Sequence, residues 1–369
     1  MKITQIRTQP IEIPFDKPLG TSIHRITSVA ALLVWIDTDE GITGESYLWV
    51  IGKHKLPVLM EMVRSLEPVV KHRNPLDVAA RFDEMWNEIN FLGHKGVTIF
   101  GIAAIDWACW DIKGKALGVS LGDLLGRKRD KIPAYASGGL WTSMSITELQ
   151  AEAKSFLSQG FKAMKMRVGL PDIGEDVERV AAVRETIGSD IILMVDANQG
   201  LNVTKAIRLG RQLEKYNLAW FEEPVQAYDL AGSAVVANAL DTPIASGETE
   251  YTRYGFRQLI ESKSIDILQP DVMWVGGMTE LLKISAMASA YDLPVVPHGS
   301  GPYSSHFIFS QPHSPFCEYI AGSPDGKSVV KMFPYFNGEQ LPESGRIKPS
   351  NEPGFGMTIK DKDLLVLFE

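Results

Sequence analysis

Three acidic residues in the middle of the chain each lie at the end of a short apolar segment. They are Asp196, after 191–195, Glu222, after 219–221, and Glu248, after 244–247. Each apolar run is too short for a helix and is typical of a buried strand, and the intervals between the runs suit one helix. Because the carboxyl ends of parallel strands meet on one face of a barrel, the three carboxylates should converge. Such a group needs a cation, and an all-oxygen ligand set suits Mg²⁺. The sequence therefore predicts a magnesium site.

A histidine and an aspartate end two later apolar segments. Asp271 ends the run 268–271, and His298 ends the run 296–298. A hydrogen bond between them would fix the tautomer of the imidazole and raise its basicity. A single histidine in an apolar segment is more often a core residue, but its place at a strand end beside the predicted metal site favours catalysis. We predict that His298 is a general base or acid and that Asp271 is its partner.

These strand ends require a repeating strand and helix pattern to bring them together. The pattern predicts strands at 132–138, 163–169, 191–198, 219–224, 244–248, 266–271, 295–299 and 316–320. Strands that alternate with helices indicate an α/β protein with a parallel sheet, and eight of them can close a barrel. We predict a (β/α) barrel catalytic domain over residues 129–339.

The first third of the chain has a different pattern. Strand-like alternation covers 2–13, 27–38 and 41–49, with turn-rich pieces at 16–20 and 38–41, and helical patterns follow at 55–71, 76–90 and 96–117. This predicts an antiparallel meander with helices, an α+β domain of residues 1–128. The tail 340–369 is rich in Pro and Gly and holds strand-like pieces at 358–360 and 364–368. We expect the tail to return and complete the first domain.

Composition limits the classes of partner. The chain has 369 residues, enough for a barrel with a companion domain. A formal net charge of −8 and a pI near 5.5 argue against nucleic acid or an anionic membrane as the main partner. The amino terminus begins as a strand without a signal-peptide pattern, and the longest apolar run, 29–36, is too short to span a membrane. Two cysteines offer no disulfide framework, which favours the cytoplasm.

Seven short motifs in order carry a resemblance to a known family. They are Lys165-Met-Arg167, Asp196-Ala-Asn198, Glu222-Glu-Pro224, Gly247-Glu248, Gln269-Pro-Asp271, Pro297-His298 and Glu318. Together they resemble the enolase superfamily, specifically its mandelate racemase subgroup. The resemblance covers nearly the whole chain and implies a modified (β/α)7β TIM-like barrel with an N-terminal α+β capping domain. Segments 296–300, 303–306, 315–318 and 323–325 are in addition locally similar to the carboxyl end of L-rhamnonate dehydratases.

The resemblance also implies a chemistry. Members of the superfamily bind Mg²⁺ through three carboxylates, here Asp196, Glu222 and Glu248, and the metal holds a substrate carboxylate while a base removes the adjacent proton to give an enediolate. Glu318 is similar to the acid that hydrogen-bonds the carboxylate opposite the metal. Asn198 is similar to a polar group near the substrate. Strand alternation predicts that the next acid, Glu223, points away from the barrel interior. Relatives with this fold are commonly homo-oligomers, and the expected partner is a small carboxylate substrate.

One departure from the family pattern separates the possible reactions. Racemases of the family carry Lys-x-Lys on the second barrel strand, whereas this chain has Lys165 and Arg167. Residues two apart share one side of a strand, so Lys165 can bind the substrate and Arg167 can also reach it. A guanidinium with a pKa above about 12 is a poor base. We therefore predict a hydro-lyase, a sugar acid dehydratase in which His298 alone produces a 2-keto-3-deoxy acid.

Other readings stay open from the sequence. Arg167 could serve as an unusual base in a racemase or epimerase, and the family also contains cycloisomerases. A barrel that binds a metal or ligand without turnover is a further alternative. Specificity should come from the capping loops 16–25 and 49–55, where His24 and Trp49 are predicted to contact substrate. Arg25, Lys53, His54, His94 and Lys95 are further donors. Two distal cations would suit an aldarate, and neutral donors would suit an aldonate.

Overall fold

The computed structural model describes residues 1–299, 301–320 and 336–360. The chain begins with strands β1 (Ile3–Gly20), β2 (Arg25–Thr38) and β3 (Thr43–Ile51), which form an antiparallel meander. Helices α1 (Leu56–Val70), α2 (Val78–Glu88) and α3 (Val97–Leu117) follow. The predicted meander and its three helices are confirmed. No helix in these described ranges is long and apolar enough to cross a lipid bilayer.

The first hairpin is longer than the sequence predicts. Strand β1 continues to Gly20, which pairs with Arg25, so the turn lies at 21–24 and the predicted turn at 16–20 was wrong. A register shift between Pro14 and Leu19 absorbs the irregular stretch without ending the pairing. The hairpin tip therefore extends as far as the barrel, where the Ser22 hydroxyl donates to the carbonyl of Ala197.

The barrel follows the short helix α4 (Leu121–Leu124). Its strands are β4 (Ile132–Ala136), β5 (Ala163–Arg167), β6 (Ile192–Asp196), β7 (Leu218–Glu222), β8 (Ile244–Ser246), β9 (Ile267–Leu268) and β10 (Cys317–Tyr319). They pair in parallel in the order β10, β4, β5, β6, β7, β8, β9. Helices α5 (Ile146–Ser158), α6 (Ile173–Ile187), α7 (Val203–Leu213), α8 (Leu230–Ala239), α9 (Thr252–Glu261), α10 (Met278–Ala290) and α11 (Pro302–Ser310) alternate with the strands. The α/β class and TIM-like barrel are confirmed.

The segment that holds the predicted general base is not a regular strand. Residues 295–299 make only two isolated bridges, Leu268 with Val295 and Asp271 with His298. The predicted continuous strand was wrong because Pro270, on the neighbouring segment, has no N–H to donate to the carbonyl of Val296 between the two bridges. The two bridges nevertheless hold His298 directly beside Asp271.

The described part of the tail lies against both halves of the chain. Strand β12 (Arg346–Ile347) pairs with β4, and β11 (Phe336–Asn337) pairs with β13 (Thr358–Ile359). The backbone N–H of Phe355 donates to Asp111 of α3. The predicted strand 364–368 lies outside the described residues. The division of the chain at residues 128 and 339 stays a prediction.

Helix α3 joins the N-terminal unit to the barrel through buried polar contacts. Trp107 Nε1 donates to the carbonyl of Val272 at 2.6 Å, and Trp110 Nε1 donates to Thr279 Oγ1 at 2.9 Å. Asp106 accepts from the backbone N–H of Thr279 at 2.9 Å and from its hydroxyl at 2.5 Å. Residues of α3 therefore connect the N-terminal unit to the barrel.

Asp106 should make the stability of this junction depend on pH. Burial raises the pKa of its carboxyl to about 7, although Thr279 opposes the shift by donating hydrogen bonds. The unfolded value is about 3.9, so the folded state holds the proton more tightly. This contribution to stability is complete below about pH 4 and is lost as the pH rises towards 7. Relative to Asp106→Asn, the wild type should lose up to about 1.4 kcal/mol of unfolding free energy per pH unit between pH 5 and 7.

Urea denaturation of both proteins at pH 5, 6 and 7 checks this expectation. Asp83→Asn, at an exposed position of α2, is the matched control. A constant difference between wild type and Asp106→Asn over this range would contradict a raised pKa in the folded state.

Candidate active site

The ends of β5, β6 and β7 place three charged residues at one level of the barrel. Arg167 is in register with Asp196, and Asp196 is in register with Glu222. The chain turns sharply after β6, where Asn198 has a left-handed backbone with φ of 40°. That turn directs the Asn198 amide nitrogen back to Asp196 Oδ2 at 3.0 Å. The predicted charged residues of these strands therefore lie close together.

Lys165 is buried among three carboxylates, which belong to residues on three different barrel strands. Its Nζ lies 2.5 Å from Glu222 Oε1, 3.3 Å from Glu318 Oε1 and 3.7 Å from Asp196 Oδ2. Burial alone would lower the pKa of Lys165, but the carboxylates outweigh it and raise that pKa. The ammonium therefore keeps its proton and supplies positive charge at the centre of the site.

Arg167 is held on three sides. Its Nε lies 3.3 Å from Asp196 Oδ2, and its Nη1 donates to the carbonyl of Ser137 at 3.3 Å. The guanidinium carbon lies 4.8 Å from the centre of the Trp141 ring. Sequence reasoning missed Ser137 and Trp141, because nothing in the sequence links them to a residue on the next strand. These contacts hold the guanidinium in place beside Asp196, as suits a fixed cation.

His298 and Asp271 form the expected hydrogen-bonded pair. His298 Nδ1 lies 2.6 Å from Asp271 Oδ2, while Asp271 Oδ1 accepts from the backbone N–H groups of Met273 and Trp274. The carboxylate therefore holds the Nδ1 proton and leaves Nε2 towards Glu248, 3.5 Å away. Burial would lower the pKa of His298, but the acidic groups around it raise the pKa well above its usual value.

Glu318 lies opposite, at the end of β10. Its Oε1 accepts from the Ser137 hydroxyl at 2.6 Å, and its Oε2 accepts from the backbone N–H of Gly299 at 2.7 Å. Burial opposes ionisation, but Lys165 and His298 outweigh it and lower the pKa of Glu318. Glu318 therefore lies between Lys165 and the His298 segment.

Glu223 lies at the site, contrary to the expectation from strand alternation. Its φ of 38° breaks the extended backbone after Glu222, and the side chain lines the same cavity as Glu248 and His298. Gln199 Nε2 donates to both of its carboxylate oxygens at 3.1 Å. Burial, followed by the charges of Glu248 and Asp196, raises the pKa of Glu223 well above its usual value. A left-handed residue that is not glycine leaves no signal in the sequence.

The site holds more carboxyl groups than permanently basic groups. Two permanent cations, Lys165 and Arg167, face six carboxylates, those of Asp196, Glu222, Glu223, Glu248, Asp271 and Glu318. In the described residues no three acidic, histidine or cysteine side chains form a ready coordination geometry, and Lys165 now lies between Glu222 and Asp196. The buried Asn198 Oδ1 has no hydrogen-bond partner. An excess of carboxylate oxygen suits a hard divalent cation.

A cavity of about 450 Å³ lies between the barrel and the N-terminal unit. Its barrel side includes His298, Glu248 and Asn198, and the opposite side includes Trp49 and His24. All three predicted substrate contacts, Asn198, His24 and Trp49, therefore line one space.

Other predicted donors are engaged away from this cavity. Lys53 pairs with Glu12 at 3.0 Å, and Lys95 pairs with Glu250 at 3.0 Å. His94 Nε2 lies 3.0 Å from the carbonyl of Trp86. Arg25 and His54 are exposed and are absent from the lining. The suggestion that these residues bind substrate is not supported by their positions.

Two family models match the chain. Residues 3–126 match the mandelate racemase / muconate lactonizing enzyme N-terminal domain, and residues 148–363 match the enolase C-terminal domain-like family. Together they cover most of the 369 residues. The matched ranges correspond to the meander with its helices and to the barrel.

Proteins similar to this chain include dehydratases and a cycloisomerase. The L-rhamnonate dehydratase of Saccharopolyspora erythraea is 33% identical over 351 residues, which are 90% of this chain and 84% of the relative. The 3,6-anhydro-alpha-L-galactonate cycloisomerase of Streptomyces coelicolor is 33% identical over 86% of this chain and 88% of its own. A solved L-talarate/galactarate dehydratase from Salmonella typhimurium LT2, with Mg and L-lyxarohydroxamate, has a TM-score of 0.90 and 29% identity and covers 98% of this chain and 91% of its own.

Proposed function

This chain belongs to the mandelate racemase / muconate lactonizing enzyme family of the enolase superfamily, and we propose that it is a Mg²⁺-dependent sugar acid dehydratase, a hydro-lyase. The observation that carries the proposal is the His298–Asp271 pair, with Nδ1 bound to Asp271 and Nε2 directed to Glu248 in the cavity. The His298–Asp271 pair supplies one base on one side of the site. The group on β5 that could supply a second base is Arg167, whose guanidinium is committed to Asp196 and Ser137.

Each residue of the site has its own role in the proposed reaction. His298 Nε2 removes the proton on the carbon next to the substrate carboxylate, and Asp271 stabilises the imidazolium that forms. The imidazolium then returns a proton to the hydroxyl on the next carbon, so that a C–H and a C–O bond break, a C=C bond forms and water leaves. The enol product rearranges to a 2-keto-3-deoxy acid. Lys165 and Glu318 orient the carboxylate, and Asn198 contacts the substrate beside it.

Mg²⁺ held by Asp196, Glu222 and Glu248 would neutralise the charge that develops on the substrate carboxylate once the proton has left. The excess of carboxylates over cations supports such an ion. Lys165 lies 2.5 Å from Glu222 Oε1, so the ammonium and the ion would share the same carboxylate.

A cycloisomerase is the second candidate. The 33% identity to the 3,6-anhydro-alpha-L-galactonate cycloisomerase over 86% of the chain favours it specifically. That reaction can also begin with proton removal by one base, and it would differ in the group that leaves. Racemisation is less well supported because it needs a base on each face of the carbon, and Arg167 is a fixed cation.

The assay is incubation of the purified protein with Mg²⁺ and a panel of aldonic and aldaric acids, with 2-keto-3-deoxy products measured by semicarbazone absorbance. Metal-dependent product supports dehydration. Isomerisation of a 3,6-anhydro acid in a parallel incubation, without product from the open-chain acids, would instead favour the cycloisomerase, and incorporation of solvent deuterium without either product would favour epimerisation.

Two substitutions of Arg167 test its proposed role as a cation. Arg167→Lys keeps the charge beside Asp196 and should retain kcat/KM within about tenfold, whereas Arg167→Met should lower it by about 100-fold, because a charge-assisted contact is lost. Steady-state kinetics with the acid found in the panel gives both values. If Arg167 were a required base, Arg167→Met would instead abolish exchange of the substrate α-hydrogen with deuterated solvent while His298 stays in place.

We also propose that the protein acts in the cytoplasm on a small carboxylate, as a homo-oligomer. Its two cysteines, Cys109 and Cys317, are buried and form no disulfide, which suits a reducing compartment. Light scattering of the purified protein measures the number of subunits.

A further inference from the structure

We infer that the substrate end remote from the reacting carboxylate is a methyl group, so that the preferred substrate is a 6-deoxyaldonate. This inference rests on the proposed dehydratase function and specifies its substrate class. It follows from the contrast between the two sides of the cavity. The barrel side carries the charged residues, including Arg167, Glu223 and Glu248. The side formed by the N-terminal unit is lined mainly by apolar residues, among them Phe15, Leu19, Ile23, Ile26, Trp49 and Ile51.

Aromatic residues extend this apolar side and hold it in place. Trp49 stacks on Trp274 at a centroid distance of 4.6 Å, and Trp274 stacks on Phe100 at 5.5 Å. Trp274 Nε1 donates to the carbonyl of Trp49 at 3.2 Å, so the indole nitrogen is turned to the backbone. Trp49 also lies 5.9 Å from the His298 ring. The apolar wall therefore begins beside the proposed base and continues along the N-terminal unit.

A second carboxylate at the remote end would need a cation, and the described lining of the N-terminal unit offers little. Lys55 is the one lysine or arginine in that part of the lining, and it is exposed, with Nζ donating to the carbonyl of Ile51 at 2.9 Å. Arg167 is held at the barrel end by Asp196, Ser137 and Trp141. Burying a carboxylate against indole and aliphatic side chains without a partner is strongly unfavourable.

Hydroxyl groups along the middle of the substrate have polar partners closer to the barrel. Asn198, Gln199 and Thr249 line the cavity there. Thr21 and His24 lie in the turn between β1 and β2 and can serve one hydroxyl. The side chains therefore suit a molecule with a carboxylate at one end, hydroxyl groups in the middle and a terminal methyl group.

The experiment compares acids that differ only at the sixth carbon. L-rhamnonate, L-mannonate and L-mannarate carry a methyl, a hydroxymethyl and a carboxylate group at that carbon, and L-fuconate, L-galactonate and galactarate form a second such series. In the series that is turned over, kcat/KM should fall by about tenfold from methyl to hydroxymethyl and by about 100-fold or more to carboxylate. Equal or faster dehydration of the aldarate would overturn the inference while leaving the proposed function intact.

Binding separates the two proposals if no acid is turned over. Isothermal titration of each acid into His298→Asn protein with Mg²⁺ measures affinity without reaction. No turnover of any acid by the wild type would reject the dehydratase, and the order of affinities would still decide the inference. Tightest binding of the deoxy acid supports an apolar end, and tightest binding of the diacid rejects it.

A positive charge introduced on the apolar side of the cavity tests the inference directly. Ile23 lies in the turn at the hairpin tip and is 47% exposed, so a larger polar side chain can be accommodated. Ile23→Lys should raise the ratio of aldarate to 6-deoxyaldonate kcat/KM at least tenfold, and Ile23→Met, which changes shape without charge, should not. A wild-type preference for the aldarate that Lys55→Gln removes would contradict the inference and assign Lys55 as the distal ion partner.

Discussion

Replacing His298 by asparagine is expected to lower kcat/KM by about 10⁴-fold, the largest effect of any single substitution at the site. An asparagine amide can still donate to Asp271 Oδ2, which now lies 2.6 Å from His298 Nδ1, but it cannot accept a proton from carbon. The fold should survive because Asp271 keeps its hydrogen bonds from the N–H groups of Met273 and Trp274. Steady-state kinetics and solvent deuterium incorporation measure the loss of turnover and of proton removal separately.

The matched control is His72→Asn, at an exposed position of the N-terminal unit. His72 has a φ of 64°, a conformation that asparagine adopts readily, so this change should leave activity and fold intact. If His298→Asn still exchanges the substrate α-hydrogen, another group removes the proton.

The positions of the main site residues were predictable because they depend on one simple geometric rule. Parallel strands present their carboxyl ends at the same face, so residues that end successive apolar runs are neighbours in space. The register of Arg167 with Asp196, and of Asp196 with Glu222, follows this rule. The contact between His298 and Asp271 follows it as well, although the missing N–H of Pro270 reduces the seventh strand to isolated bridges.

Two predictions from the sequence were wrong because they depended on local backbone conformation. Glu223 enters the cavity because its backbone is left-handed, and a glutamate in the sequence does not indicate that conformation. The first hairpin passes through a proline-containing stretch because a register shift accommodates it, where the composition of that stretch alone predicts a turn. The first error changed which side chains were expected to face the site.

Contacts between distant segments were a third source of error. Lys53 is turned away from the cavity by Glu12, which lies 41 positions earlier in the chain, and Lys95 is held by Glu250. Ion pairs of this kind depend on how strands and helices meet. Periodicity and spacing carry no information about them, so the sequence could not separate the loop side chains that line the cavity from those that are held elsewhere by ion pairs.

The second large effect is expected from Glu248→Gln, which should remove most of the response of the protein to Mg²⁺. At a Mg²⁺ concentration 100 times the dissociation constant, binding stabilises the folded wild type by about 2.7 kcal/mol. Such stabilisation should raise the melting temperature by several degrees in a chain of this size. Glutamine keeps the size of the side chain but removes one of three charged ligands, so both this shift and the dehydratase activity should be largely lost.

The same substitution should have the opposite effect on stability when no metal is present. Burial raises the pKa of Glu248, and the nearby Glu222 adds to that shift although His298 opposes it, so the charged form is unfavourable in the metal-free protein. Glu248→Gln should therefore melt at the same temperature as the wild type or higher in EDTA, and lower than it in Mg²⁺. Thermal melts in both buffers measure the crossing, with Glu261→Gln on the exposed face of α9 as the control. A ligand with a purely structural role would shift both melts in one direction, and an unchanged response to Mg²⁺ would exclude Glu248 from the metal site.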